Sequence, residues 1–192
     1  MKIQLPTGGA LVAPTDPTHD PPSDCSQVFA LLPLVASYLA SVQGVLQVLD
    51  RTGSLVDVVG VPPFVRDLLC LILRALNCIL GQLKTQVAVL TTLASQLDAA
   101  RAAGNADLVR ALETAQKNAE ARTANAFPSI EAVQSVLDLA APHFEIAGVG
   151  PVELPSAPVN ADLNALILLS ESFATSAAAM QVAVDRLGGC DA

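Results

Sequence analysis

Leucine occurs at every seventh position of this chain from Leu69 to Leu97. A second apolar series lies four residues after each of the first four leucines, and it consists of Leu73, Leu80, Val87 and Ala94. Spacings that alternate between four and three residues place both series on one face of an α-helix. The pattern therefore predicts a long helix whose apolar face packs against other helices.

A second segment, upstream of the first, has the same alternation of spacings. Its apolar residues are Val28, Leu32, Val35, Leu39, Val42, Leu46 and Leu49. Because both segments keep the helical period and no stretch keeps a strand-like alternation, we expect an all-α fold with negligible sheet. The predicted architecture is an elongated helical bundle of four to five helices, with long heptad-patterned helices and a Pro-rich N-terminal arm.

The arm is predicted from residues 1–23, which contain five prolines. Proline has no backbone N–H and disfavours helix, so an extended, polyproline-like course is expected there. Residues 24–192 are predicted to form a single helical bundle domain, and a chain of this length is long enough to bury a substantial core.

The first two helices have recognisable ends. Ser23 or Asp24 offers an N-cap for the first helix, which runs to about Asp50, and Pro33 either kinks it or marks a later start.

The second helix is expected from about Pro63 to Ala103, followed by Gly104 as its C′ residue and Asn105 at the start of the next element. Between Leu68 and Leu80 it is apolar almost all round, which predicts a central position.

Three further helical segments follow. Residues 106–126 carry the densest charge, including Glu113 and Lys117 four apart, and predict an outer helix. Pro128 is expected to break it, Ser129 to cap a continuation and Pro142 to end that continuation. The segment GVGPVELPSAP is predicted to be irregular and to cross between the helices on either side of it. A last helix is expected from about Asp162 to Leu187, ended by Gly188 and Gly189.

Composition limits the partners of this chain. Charged residues make up only 15% of it, against about a quarter in an average soluble domain, so much of its exposed surface must be neutral. Aromatic residues are 3% and the net charge is −8. Since phosphate binding needs a cationic surface, nucleic acid is disfavoured as a partner. The net negative charge is explained more simply as a feature that keeps an apolar protein soluble.

Residues 25–49 contain no charged side chain and reach the minimum length of a membrane span. Against a span stand Pro33, acidic flanks at Asp24 and Asp50, the absence of an aromatic belt and a polar series formed by Ser37, Ser41, Gln43 and Gln47. We therefore expect a core helix here and consider a membrane unlikely. The first residues have no continuous apolar stretch of signal-peptide length, so a cytoplasmic location, or a place in a cytoplasmically assembled particle, is expected.

The four cysteines are compatible with three roles, as metal ligands, as disulfides and as buried thiols. Cys70 and Cys78 lie about 12 Å apart along one predicted helix and cannot bridge each other. Oxidation would therefore join Cys25 and Cys190 to these two in one order or the other. Zinc is disfavoured by the spacing and by the placing of His19 and His143 in predicted non-helical segments. Without a secretion signal, reduced and buried thiols are expected.

No motif predicts catalysis, and the chain is expected not to be an enzyme and to need no cofactor or metal. Glu171, which lies beside Ser170 and Ser172, is the best single candidate for a catalytic carboxylate. We expect instead that it lies at the exposed edge of its helix and takes no part in catalysis. The acidic cluster Asp16, His19, Asp20 and Asp24 is read as a solvated tail, and Gly148 and Gly150 lack the residues of a phosphate loop.

Two functional hypotheses remain. The first is a non-enzymatic structural or adaptor subunit that docks into a larger protein assembly through its arm and its neutral helical surfaces, with protein partners or self-association. The second is an apolar-ligand carrier or membrane-active helical bundle, with a small apolar ligand possible. An enclosed apolar cavity of several hundred cubic ångströms favours the carrier, and a solid core favours the adaptor.

Overall fold

The computed structural model describes residues 2–4, 10–12, 24–51, 61–124, 127–146, 150, 152–156 and 162–190. In these ranges the chain forms five α-helices and two strands of three residues each. The helices are α1 (Cys25–Arg51), α2 (Val61–Ala102), α3 (Ala106–Ala124), α4 (Phe127–Ile146) and α5 (Leu163–Arg186). The strands are β1 (Lys2–Gln4) and β2 (Ala10–Val12). The predicted all-α class is confirmed.

Helix α2 is the central element, because α1, α3, α4 and α5 all pack against it. The five leucines of its heptad series are all buried. In the second series Leu73 is buried, whereas Leu80, Val87 and Ala94 are half-buried. Between Val65 and Ile79 nearly every apolar side chain is inaccessible, as the all-round apolar sequence predicts.

The buried apolar residues form one core cluster shared by α1, α2, α4 and α5, to which α3 adds Ala119. From α1 the described members are Val28, Leu32, Val35 and Leu39. Phe144 of α4 and Phe173 of α5 are the largest fully buried side chains. The predictions for Val42, Leu46 and Leu49 concern side chains that lie outside the described residues.

Several helix ends have the capping residues that the sequence predicts. The Asp24 carboxylate accepts hydrogen bonds from the backbone N–H groups of Ser26 and Gln27, which makes it the N-cap of α1. Gly104 has φ of 69°, a left-handed conformation that glycine adopts without strain after a helix. The Asn105 side chain then accepts from the N–H of Leu108 and caps α3.

Helix α3 is an outer helix, as predicted, with only Ala119 and Thr123 buried. Its Glu113 pairs across the turn with Arg101 of α2 at 3.1 Å. This ion pair joins the two helices of the α2–α3 hairpin.

Two predictions for α4 need correction. The helix begins at Phe127, so Pro128 lies in its first turn, where the missing N–H costs nothing, and Ser129 is not the cap. It also continues through Pro142 to Ile146, which places His143 in a helix and not in the predicted non-helical segment. Burial of Phe144 just after Pro142 offsets the lost backbone hydrogen bond.

The N-terminal strands pair with each other as an antiparallel hairpin in which Ile3 faces Leu11. This pairing was not predicted, since a polyproline-like course was expected. Most of the predicted Pro-rich arm, including all five of its prolines, lies outside the described residues. The hairpin makes no extensive contact with any of the five helices in the described structure.

Candidate functional site

A groove of about 720 Å³ runs along the outer side of α4 beneath the extended segment 152–156. It is half open to solvent and is not an enclosed cavity. Its lining residues are Ile130, Glu131, Gln134, Ser135, Leu137, Asp138, Ala141, Phe144, Val152, Glu153, Leu154, Pro155 and Ser156. We call this feature the α4 groove.

One side chain of α4 ties segment 152–156 to the helix. The Gln134 amide oxygen accepts a hydrogen bond from the N–H of Leu154 at 3.2 Å. The Gln134 amide nitrogen donates to an Asp138 carboxylate oxygen at 2.6 Å. The bond to Leu154 therefore joins the two walls of the groove, and the bond to Asp138 orients the Gln134 amide along its own helix.

The groove has an apolar floor and an acidic rim. Ile130, Leu137 and Phe144 are buried and form part of the main core as well as the lining. Around them stand the carboxylates of Glu131, Asp138 and Glu153, which are exposed, and none of the lining residues is cationic. In the described part of the chain neither Glu131 nor Glu153 takes part in a salt bridge.

The chemistry of this lining suits binding. It contains no histidine, cysteine or lysine that would serve as a base or a nucleophile. Its one hydroxyl with a described hydrogen bond, that of Ser135, donates to the Glu131 carbonyl of its own helix turn. An apolar floor within a ring of carboxylates selects ligands that combine an apolar body with positive charge.

The cysteines form two disulfides, Cys25–Cys78 and Cys70–Cys190. The prediction of reduced thiols is therefore wrong, while the pairing is one of the two that helix geometry allowed. Cys25–Cys78 links the start of α1 to α2. Cys70–Cys190 links α2 to the residues after α5, where Gly188 and Gly189 reverse the chain at φ of 106° and 81°.

The other residues singled out from sequence are not brought together. Glu171 is exposed on α5, as predicted, and its backbone carbonyl accepts from the Thr175 hydroxyl. Asp16, His19, Asp20 and Gly148 lie outside the described residues. Among the described residues, no three His, Cys, Asp or Glu side chains are grouped as a metal site would require.

Sequence reasoning missed the three carboxylates of the α4 groove, because two belong to an exposed helix face and the third to a segment predicted to be irregular. The one available signal was the order Val152, Glu153, Leu154. Alternation of apolar and acidic residues indicates an extended segment that packs one side against a neighbour.

Two described helical stretches, Val65–Ala102 and Leu163–Arg186, have the length and composition of a membrane span. The most apolar window of the first is 61% buried within the protein, as expected of a core helix, whereas that of the second is only 28% buried. A core helix of a soluble protein meets the same criteria, so this is weak support for a span.

No protein-family model, curated protein or solved structure matches this chain.

Proposed function

We propose that this protein is a non-enzymatic structural or adaptor subunit, which docks into a larger protein assembly through its N-terminal arm and its neutral helical surfaces. The observation that supports the proposal is that, among the described residues, the β1–β2 hairpin makes no extensive contact with the helices. A hairpin of two three-residue strands is marginal in water on its own. A surface on another molecule would supply packing that stabilises it.

The neutral helical surfaces support the same function. On α2 the hydroxyls of Thr85, Thr91 and Thr92 each donate to a carbonyl one turn earlier, at 2.8 to 2.9 Å. These hydroxyls keep that hydrogen bond when a partner covers them, so removing water from them on docking costs little free energy. The exposed face of α1 likewise carries Leu34 and no charged residue between Ser26 and Ser41.

The cytoplasmic assembly expected from sequence has to be weighed against the two disulfides, which persist mainly in oxidising compartments. We propose that the subunit works in an oxidising environment, in a particle or extracellular assembly.

An apolar-ligand carrier or membrane-active helical bundle is the second candidate function, and two observations favour it. The α4 groove has the volume of a small-ligand pocket. Leu168 and Val182 of α5 are also more than half exposed. The acidic, half-open rim of the groove suits a purely apolar ligand poorly, so the adaptor reading is preferred.

The test is to purify the full chain and a variant lacking residues 1–23 in parallel, and to identify associated proteins and lipids by mass spectrometry. The adaptor proposal expects a stoichiometric protein partner or self-assembly that depends on the arm. A bound lipid, present equally in both preparations without any protein partner, would favour the carrier and contradict the adaptor.

A further inference from the structure

The first fifteen residues differ in charge from the rest of this acidic protein. They contain Lys2 and no acidic residue, while the whole chain carries a net charge of −8. The same stretch contains Ile3, Leu5, Leu11 and Val12. The hairpin therefore belongs to a cationic and apolar segment.

The α4 groove has the complementary character. Its floor is apolar, and Glu131 and Glu153 on its rim have no cationic partner among the described residues. A lysine placed at this rim would offset carboxylate charge while apolar neighbours cover the floor. Its volume of about 720 Å³ accommodates a few side chains and not a whole helix.

Within the described part of one chain, no extensive contact joins the hairpin to the groove. The hairpin makes no extensive contact with α4 or with any other helix in the described structure. Each copy thus has a hairpin that makes no extensive contact with the described helices, and a groove of complementary charge. A second copy supplies both missing parts at once.

We propose that the α4 groove of one copy binds the N-terminal hairpin, residues 2–12, of a second copy, with Lys2 at the carboxylates of Glu131 and Glu153. The inference rests on the docking role given to the arm in the proposed function, and it names the acceptor surface and the partner. Reciprocal exchange between two copies gives a closed dimer, and head-to-tail exchange gives a chain of subunits.

The experiment is sedimentation velocity of the full chain over a range of concentrations and salt. Wild type is expected to associate, and the association should weaken with added salt because charges are paired. Lys2→Glu alone, or Glu131→Lys with Glu153→Lys, should weaken it by about tenfold or more. Glu171→Lys, an exposed change on α5, is the matched control and should leave it unchanged.

Mixing then distinguishes exchange between copies from binding within one chain. Lys2→Glu chains mixed with Glu131→Lys/Glu153→Lys chains should regain association, since the arm of the first suits the groove of the second. Circular dichroism of each variant confirms that the exposed changes leave the helices intact.

Several outcomes would overturn the inference. A full chain that stays monomeric at all concentrations, or a mixture that fails to associate, excludes exchange between copies. If deleting residues 1–23 abolishes assembly but the groove substitutions do not, the acceptor is another surface, and the proposed function survives without this inference. If neither change affects assembly, both fail.

Discussion

Leu76 and Lys117 illustrate how much the effect of a residue depends on burial. Leu76 is fully buried at the centre of α2, whereas Lys117 is exposed on α3. Truncation of Leu76 to alanine removes buried methyl groups and leaves a cavity, so Leu76→Ala is expected to cost about 2 to 5 kcal/mol of unfolding free energy. Lys117→Ala should change it by less than about 0.5 kcal/mol. Urea titration measures both changes in unfolding free energy. Equal effects would mean that the core has been assigned to the wrong residues.

Asp24 is expected to give the first helix a pH dependence. Hydrogen bonds from the Ser26 hydroxyl, then from the N–H groups of Gln27 and Ser26, hold its pKa below the ordinary value of 3.8. The folded state therefore favours the ionised carboxylate. Its stabilising contribution is complete above pH 3.8 and is lost as the pH falls through the lowered pKa of the folded state.

The measurement is the melting temperature of wild type and Asp24→Ala between acidic and neutral pH. The difference should be constant above the ordinary carboxyl pKa and shrink below it. Asp24→Asn is the control, because asparagine caps a helix but does not titrate. An Asp24→Ala difference that does not change with pH would exclude the assigned role.

At the level of elements, the two disulfides attach α2 to both ends of the helical domain. They close sequence separations of 53 and 120 residues. Closing loops of this size removes freedom from the unfolded chain, and each disulfide is expected to contribute about 2 to 5 kcal/mol. Thiol titration of denatured, unreduced protein should find no free cysteine.

Replacing one pair by serine, Cys25 with Cys78 or Cys70 with Cys190, keeps the other bridge and isolates its contribution. Each double variant should melt at a lower temperature than wild type, and the second pair should cost more because its loop is longer. Four free thiols in unreduced wild type, or no loss of stability in either variant, would contradict this prediction.

Helix positions were predictable from sequence wherever the signal is local. The heptads define α2, Gly104 and Asn105 mark the turn after it, and Asp162 caps α5 by accepting from the N–H of Ala165. Pro142 misled the prediction because its local effect is outweighed by burial of Phe144, which is set by tertiary packing.

The disulfides and the α4 groove depend on the same kind of non-local information. Helix geometry limited the cysteines to two pairings, but only the packing of α1 and α5 on α2 selects between them. Likewise Glu131 and Glu153 are 22 positions apart in sequence, and they meet at one groove because Gln134 binds segment 152–156 to α4.

For the whole molecule, the proposed division between an N-terminal arm and a helical domain makes the most direct prediction. Every member of the described core cluster belongs to a helix, and among the described residues the β1–β2 hairpin makes no extensive contact with the helices. A variant lacking residues 1–23 keeps Asp24 as the α1 cap and all four cysteines. It is therefore expected to retain the helicity and melting temperature of the full chain but to lose association.

Circular dichroism with thermal melting measures the first part of this prediction, and sedimentation velocity measures the second. The Glu171→Lys full chain, altered at an exposed site away from the arm, should match wild type in both. Unfolding of the truncated protein would show that the arm belongs to the folded domain, because a docking segment is dispensable for its own chain's stability. Unchanged association would remove the arm from the interface and contradict the docking role proposed for it.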